Sequence, residues 1–113
     1  MKFYRAERVG SLIRQELNII ILRELDFGDV LVTLTDVEVA KDLSRAVVKF
    51  SALPTDEAPE ILKIFKENRK RLHHMLYKKI NIRPMPYIDF EIDLGPEKAA
   101  NIEKSLLKSD NSE

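Results

Sequence analysis

LKIFKENRKRLHHMLYKKINIR, residues 62–83, is a helical pattern with a fault in its middle. Ile61, Leu62, Phe65, Leu72, Leu76 and Ile80 recur at the spacing of one helical face. The position that should carry the stripe from Phe65 to Leu72 is Asn68, followed by Arg69, Lys70 and Arg71. A polar residue there predicts two helices, kinked or interrupted near Asn68, in place of one. An unbroken helix with Asn68 at a packing edge is the alternative, and both turn the basic side chains outward. The pattern must stop near Asn81, because Pro84 and Pro86 each disfavour helix in the residue before them.

Downstream, Tyr87 to Leu94 alternates strictly, with Ile88, Phe90, Ile92 and Leu94 on one face and Tyr87, Asp89, Glu91 and Asp93 on the other, as a half-buried strand does. Gly95-Pro96 ends it, and Pro96 can open a short helix through Ala99, Ile102 and Leu106. Upstream, Val30 to Val39 is rich in β-branched residues and reads as a strand, with Ala46 to Leu53 as its partner. Asp42 and Ser44 suit the reversal between them, since both side chains bond their own backbone in turns. Leu53-Pro54 closes the second strand, and Thr55 or Asp56 is placed to cap the following helix, with Pro59 tolerable in its first turn.

The first helix runs from Tyr4 to about Leu25 on Val9, Leu12, Ile13, Leu17, Ile20, Ile21 and Leu25. Ile19 and Leu22 widen this stripe, so the helix is expected to lie deep against a sheet. Gly28 is placed to stop it by taking the left-handed conformation.

Charge is segregated along the chain. Residues 62–83 hold Lys63, Lys66, Arg69, Lys70, Arg71, Lys78, Lys79 and Arg83 against Glu67 alone, a local net of +7 in a chain of net zero. Residues 24–61 carry nine acids against three bases, and residues 84–113 carry seven against three. One surface is therefore expected to offer a positive field to an anionic partner, of which nucleic acid is the commonest. A solvated face loosely paired with neighbouring acids is the alternative. Arg5 and Arg8 sit at the start of the first helix, where positive charge opposes the macrodipole. A phosphate contact would offset that, as would screening by Glu7 and solvent.

The remaining composition excludes more than it suggests. A chain of 113 residues is one domain by length, expected here over residues 1–108, with 109–113 as a disordered tail. The absence of cysteine removes disulfides, thiolate metal sites and thiol nucleophiles. No apolar run is long enough for a signal peptide or a membrane span, so the expected address is the cytoplasm. His73 and His74 are adjacent and point about 100° apart on a helix, which prevents them from gripping one metal together. Glu24, Asp26 and Asp29 are explained by capping and turns. Neither a phosphate loop nor a nucleophile elbow is present, so neither an enzyme nor a cofactor is expected.

The order helix, strand, strand, helix, helix, strand is an α+β layout with a three-stranded sheet and helices on one face. It is the order of the type II KH module, which grips nucleic acid through a glycine-rich turn between two helices. This chain has Glu67-Asn68-Arg69-Lys70 there, without glycine. The run VEVAKDLSRAVVKFSAL (residues 37–53), Arg5 followed by Arg8 and Val9, and Arg83 followed by Pro86, Ile88, Phe90 and Asp93 resemble the ribosome-binding factor A family over about residues 5–107.

That resemblance implies a type II KH-like fold with a kink at an Ala-x-Gly between the helices. Asn68, Arg69 and Lys70 fall at that kink, a departure from the pattern. It further implies a non-catalytic assembly factor, most needed in the cold, that binds the small ribosomal subunit and its ribosomal RNA late in maturation. Arg5, Arg8, Arg14, Lys63, Lys66, Arg69, Lys70, Arg71, Lys78, Lys79 and Arg83 are the expected RNA contacts. A monomer without membrane, small-molecule or metal partner is expected. A free-standing single-strand RNA binder and a protein-interaction module stay open beside it.

Overall fold

Alternation in β2 (Arg45–Leu53) organises the molecule: Ala46, Val48, Phe50 and Ala52 are buried, whereas Val47, Lys49 and Ser51 on the other face are half-buried. The structure, a computed structural model, describes residues 5–95. The expected C-terminal helix and tail, and Tyr4, lie outside that range. β2 is the middle strand. β1 (Leu31–Val39) pairs with it antiparallel, and β3 (Tyr87–Ile92) pairs parallel on its other edge, giving the order β1-β2-β3. A parallel neighbour requires a long crossover. It is supplied by a 3-10 turn (Thr55–Glu57), α2 (Ala58–Glu67) and α3 (Arg69–Ile80). α1 (Ala6–Glu24) packs against β1 and α3, and α2 packs against β2 and β3.

β1 contains a bulge between Leu34 and Asp36. Val32 and Leu34 oppose Ala52 and Phe50; beyond the bulge Val37 and Val39 oppose Val48 and Ala46. The apolar alternation changes phase from even to odd positions at Thr35, and one extra residue keeps both halves on the core face. That phase change is the signal in the sequence which a plain strand reading overlooks.

α1 buries Val9, Gly10, Ile13, Leu17, Ile20 and Ile21. A Cβ on Gly10 would lie 3.0 Å from the Val37 carbonyl oxygen, so the glycine sets how closely helix and strand approach. Ile19 and Leu22 do not widen the buried stripe as expected: they are 49% and 80% exposed. Winding by about 100° per residue puts both on the opposite side of the helix from Ile13 and Leu17. The helix also stops before the expected glycine. Leu25 is already extended (φ −121°, ψ 145°), and Gly28, at φ +63°, serves the next turn, where its N–H donates to Asp26 Oδ1 at 2.9 Å.

Phe65 joins the helices to the sheet. Its ring stacks on Phe90 at 4.6 Å and meets Phe50 and Phe27 edge-on at 4.9 and 5.5 Å. Neither Thr55 nor Asp56 caps α2 through its side chain; the 3-10 turn occupies that place, and Pro59 sits in the first helical turn. The last strand is shorter than its alternation suggests. It ends at Ile92, and Leu94 is exposed, because Asp93 Oδ1 accepts the Gly95 N–H at 2.8 Å and turns the chain.

Candidate nucleic-acid interface

The site is built on the break between α2 and α3. Asn68 alone lies outside both helices, at φ −102° and ψ 7°. Its backbone N–H and its side-chain Nδ2 both donate to the Ile64 carbonyl, at 3.1 and 2.8 Å. Its own carbonyl accepts from the Leu72 N–H, and Oδ1 accepts from Arg71 Nη2 at 3.1 Å. The side-chain amide thus satisfies a carbonyl at the end of α2, a place where helices leave backbone groups unpaired, and braces the Arg71 side chain of α3. The turn stays at negative φ in a region open to ordinary residues. It therefore needs no glycine. Arg69 and Lys70 form the first turn of α3.

The expected contact residues separate into two groups. Lys63 and Lys66 are exposed on α2; Lys70, Lys78 and Lys79 are exposed on α3. Arg5 and Arg8 are exposed at the start of α1. None of these seven joins an ion pair among the described residues, where the pairs are Arg23–Glu24, Arg45–Asp89, Lys49–Glu38 and Arg71–Glu24. The other four have partners within the fold. Arg14 Nη2 donates to the Leu34 carbonyl at 3.2 Å, holding α1 to β1. Arg71 Nη1 meets Glu24 Oε1 at 3.0 Å, tying α3 to the end of α1. Arg69 lies over the Tyr87 ring, 4.4 Å from its centroid. Arg83 Nε donates to the Tyr77 hydroxyl at 3.1 Å.

Glu24 and Tyr87 are the participants that sequence reasoning missed. Each meets its partner only through packing, and neither carries a local signal for it. Along α2, Pro59, Leu62, Lys63, Lys66 and Glu67 line a shallow groove of about 460 Å³, an apolar floor flanked by two lysines.

Acids collect on the sheet surface that faces away from the helices. Glu38 Oε1 pairs with Lys49 Nζ at 2.9 Å, and that bond, reinforced by Glu91 and Asp93, raises the lysine pKa. Asp93 accepts from Thr35 Oγ1 and from the Gly95 N–H, which hold its carboxyl below its usual value. The Ser44 hydroxyl and N–H do the same for Asp42 in the turn. The charge segregation of the sequence thus becomes a helical layer bearing unpaired cations and a sheet surface bearing acids. His73 is half-buried and His74 exposed, and no three metal-ligating side chains converge among the described residues. No helix among them is long and apolar enough to cross a membrane.

Comparison with known proteins places this arrangement. A sequence model described as ribosome-binding factor A matches residues 5–106. The ribosome-binding factor A of Chlorobium phaeovibrioides is 34% identical over 108 residues, covering 93% of this chain and 90% of that protein. That of Chlorobium limicola is 36% identical over 105 residues, covering 90% and 88%. Among solved structures, the crystal structure of ribosome-binding factor A from Thermus thermophilus superposes with a TM-score of 0.63 at 22% identity, over 79% of this chain and 97% of that one. A Thermus thermophilus ribosome binding factor A model fitted into a cryo-EM map of a 30S–RbfA complex gives a TM-score of 0.60 at 23% identity, over 74% and 90%. At these identities the structural likeness speaks for the fold.

Proposed function

Because this chain belongs to the ribosome-binding factor A family, we propose that it binds the small ribosomal subunit late in its maturation and meets ribosomal RNA with the cations of its helical layer. The family is named for binding rather than catalysis, and the chain acts as an assembly factor in the cytoplasm, as a monomer. Residues 1–108 work as one KH-like RNA-binding unit. The observation that carries the reading is that seven of the eleven expected contact residues, Arg5, Arg8, Lys63, Lys66, Lys70, Lys78 and Lys79, are exposed and have neither an ion pair nor a side-chain hydrogen bond among the described residues.

A cation without a partner keeps its full charge for phosphate, and each phosphate it neutralises releases condensed counterion. The acids of the sheet surface, Glu38, Glu91 and Asp93, repel the same backbone, which favours the helical layer and the end of the sheet where β3 begins beside Arg69. Arg69, Arg71, Arg14 and Arg83 shape the surface, because each is held by a neighbour before RNA arrives. Recognition is mainly of RNA shape, as the exposed cations offer charge and no pattern matched to a base edge. A greater need for the factor in the cold follows from the family resemblance.

The test is sedimentation of the protein with immature and mature small subunits at two salt concentrations, wild type beside Lys66→Glu/Lys70→Glu. The expected result is salt-sensitive binding, stronger to immature subunits and lost in the variant while its circular dichroism is unchanged. Binding to neither particle, or binding indifferent to salt and to the variant, overturns the proposal.

A further inference from the structure

Tyr87 opens β3 with 51% of its surface exposed, so part of its ring is open to a ligand. The backbone that carries the ring is held firmly. Buried Pro86 and Ile88 flank Tyr87, and its backbone N–H donates to the Ser44 carbonyl at 3.0 Å. Two cations attend it. Arg69, at the first position of α3, lies 4.4 Å from the ring centroid, and Arg45 is its register partner on β2. The nearest acid on the strand face, Asp89, is already bonded by Arg45 Nη2 at 2.9 Å. Arg45 and Asp89 offset each other, and Arg69, which joins no ion pair among the described residues, leaves its positive charge uncompensated at the ring.

A half-exposed aromatic ring on a hydrogen-bonded strand, with a guanidinium against it, has the chemistry of a base-stacking platform. Every nucleobase has a π-face to lay on a tyrosine ring or on the plane of an arginine, and the flanking cations receive the adjoining phosphates. The break at Asn68 contributes directly, since it starts α3 where Arg69 reaches β3. The geometry points to Tyr87 and Arg69 as a stacking site for one unpaired nucleobase. This rests on the RNA-binding reading and adds to it the feature of RNA that is recognised: an unstacked base next to the phosphates that the lysines engage.

The chain has no tryptophan and three tyrosines. A full-length Tyr4→Phe/Tyr77→Phe protein therefore reports tyrosine emission from Tyr87 alone. The probes are a hexamer of riboadenylate and a ribose-phosphate hexamer of equal charge that lacks bases. Stacking predicts that riboadenylate quenches the emission and the base-free strand does not. It also predicts about 5-fold or more tighter binding of riboadenylate. Tyr87→Leu, which suits a strand, should bring the two affinities together while circular dichroism stays native; Tyr87→Phe should keep the preference. Equal affinities without quenching in the parent protein, or a base preference that survives Tyr87→Leu, overturn the proposal. Sedimentation of the same parent protein with immature subunits separates the two levels. Binding to subunits without base preference removes the stacking site alone, whereas binding to neither removes the RNA reading as well.

Discussion

Lys70→Gln and Arg71→Gln each remove one positive charge from adjacent residues of α3, yet their effects on RNA binding should differ. Lys70 is exposed and joins no ion pair among the described residues. Arg71 holds Glu24 at 3.0 Å, with side chains 45% and 26% exposed, and donates a second bond to Asn68. Each phosphate contact contributes about 0.7–0.9 to the slope of log affinity against log salt. Loss of the Lys70 contact should therefore weaken binding about 5- to 8-fold near 0.1 M salt and about 2- to 3-fold near 0.3 M, with the slope shallower by that amount. Arg71 is already engaged by Glu24, which Arg23 shares, and by Asn68, so Arg71→Gln should leave the slope within about 0.3 of wild type. It should instead lower stability by roughly 0.5–1 kcal/mol, the worth of a partly exposed pair. The assay is filter binding to immature small subunits across a salt series, with urea unfolding of both variants alongside. Equal slope changes for the two substitutions would refute the assignment of free and paired cations.

Two further outcomes follow from the core and the sheet surface. Phe65→Leu gives up three aromatic contacts, each worth about 0.5–1.5 kcal/mol, and should destabilise the fold by about 2–3 kcal/mol. In urea the midpoint should fall by about 1–2 M at unchanged m; a shift below about 0.3 M would show that the cluster does not hold the helices to the sheet. Asp93 and Asp42 have pKa values lowered by folding from 3.8, so the unfolded chain takes up protons first as pH falls. Their contribution is present above about pH 4 and is lost as pH drops through the folded values, whereas that of Lys49, raised from 10.5, is lost at higher pH. Asp93→Asn should make the acid limb of urea midpoint against pH shallower, with part of the slope remaining from Asp42; an unchanged limb would remove Asp93 from the account.

Much of this molecule is legible one segment at a time. The period-two runs around Val48 and Phe90 name the strands and their buried faces, because a side chain's face within a strand depends only on its parity. Asn68 announces the helix break, since a polar residue in an apolar stripe cannot be packed there without cost. The acid and base blocks announce two surfaces of opposite charge. Ile19 and Leu22 were misleading for the converse reason: hydrophobicity alone does not fix burial, and helical geometry turned both away from the core.

What the sequence determined by itself is therefore periodicity, the break at Asn68 and the segregation of charge, all properties of neighbours along the chain. Which cations remain free was decided only by the tertiary structure. Arg71 and Lys70 look alike as residues, but α1 brings Glu24 to one of them. Arg69 and Tyr87 are distant in the chain until the crossover returns β3 beside β2 and sets the ring under the guanidinium. Coulombic and stacking energies depend on separation in space, over a few ångströms, and sequence distance does not encode it.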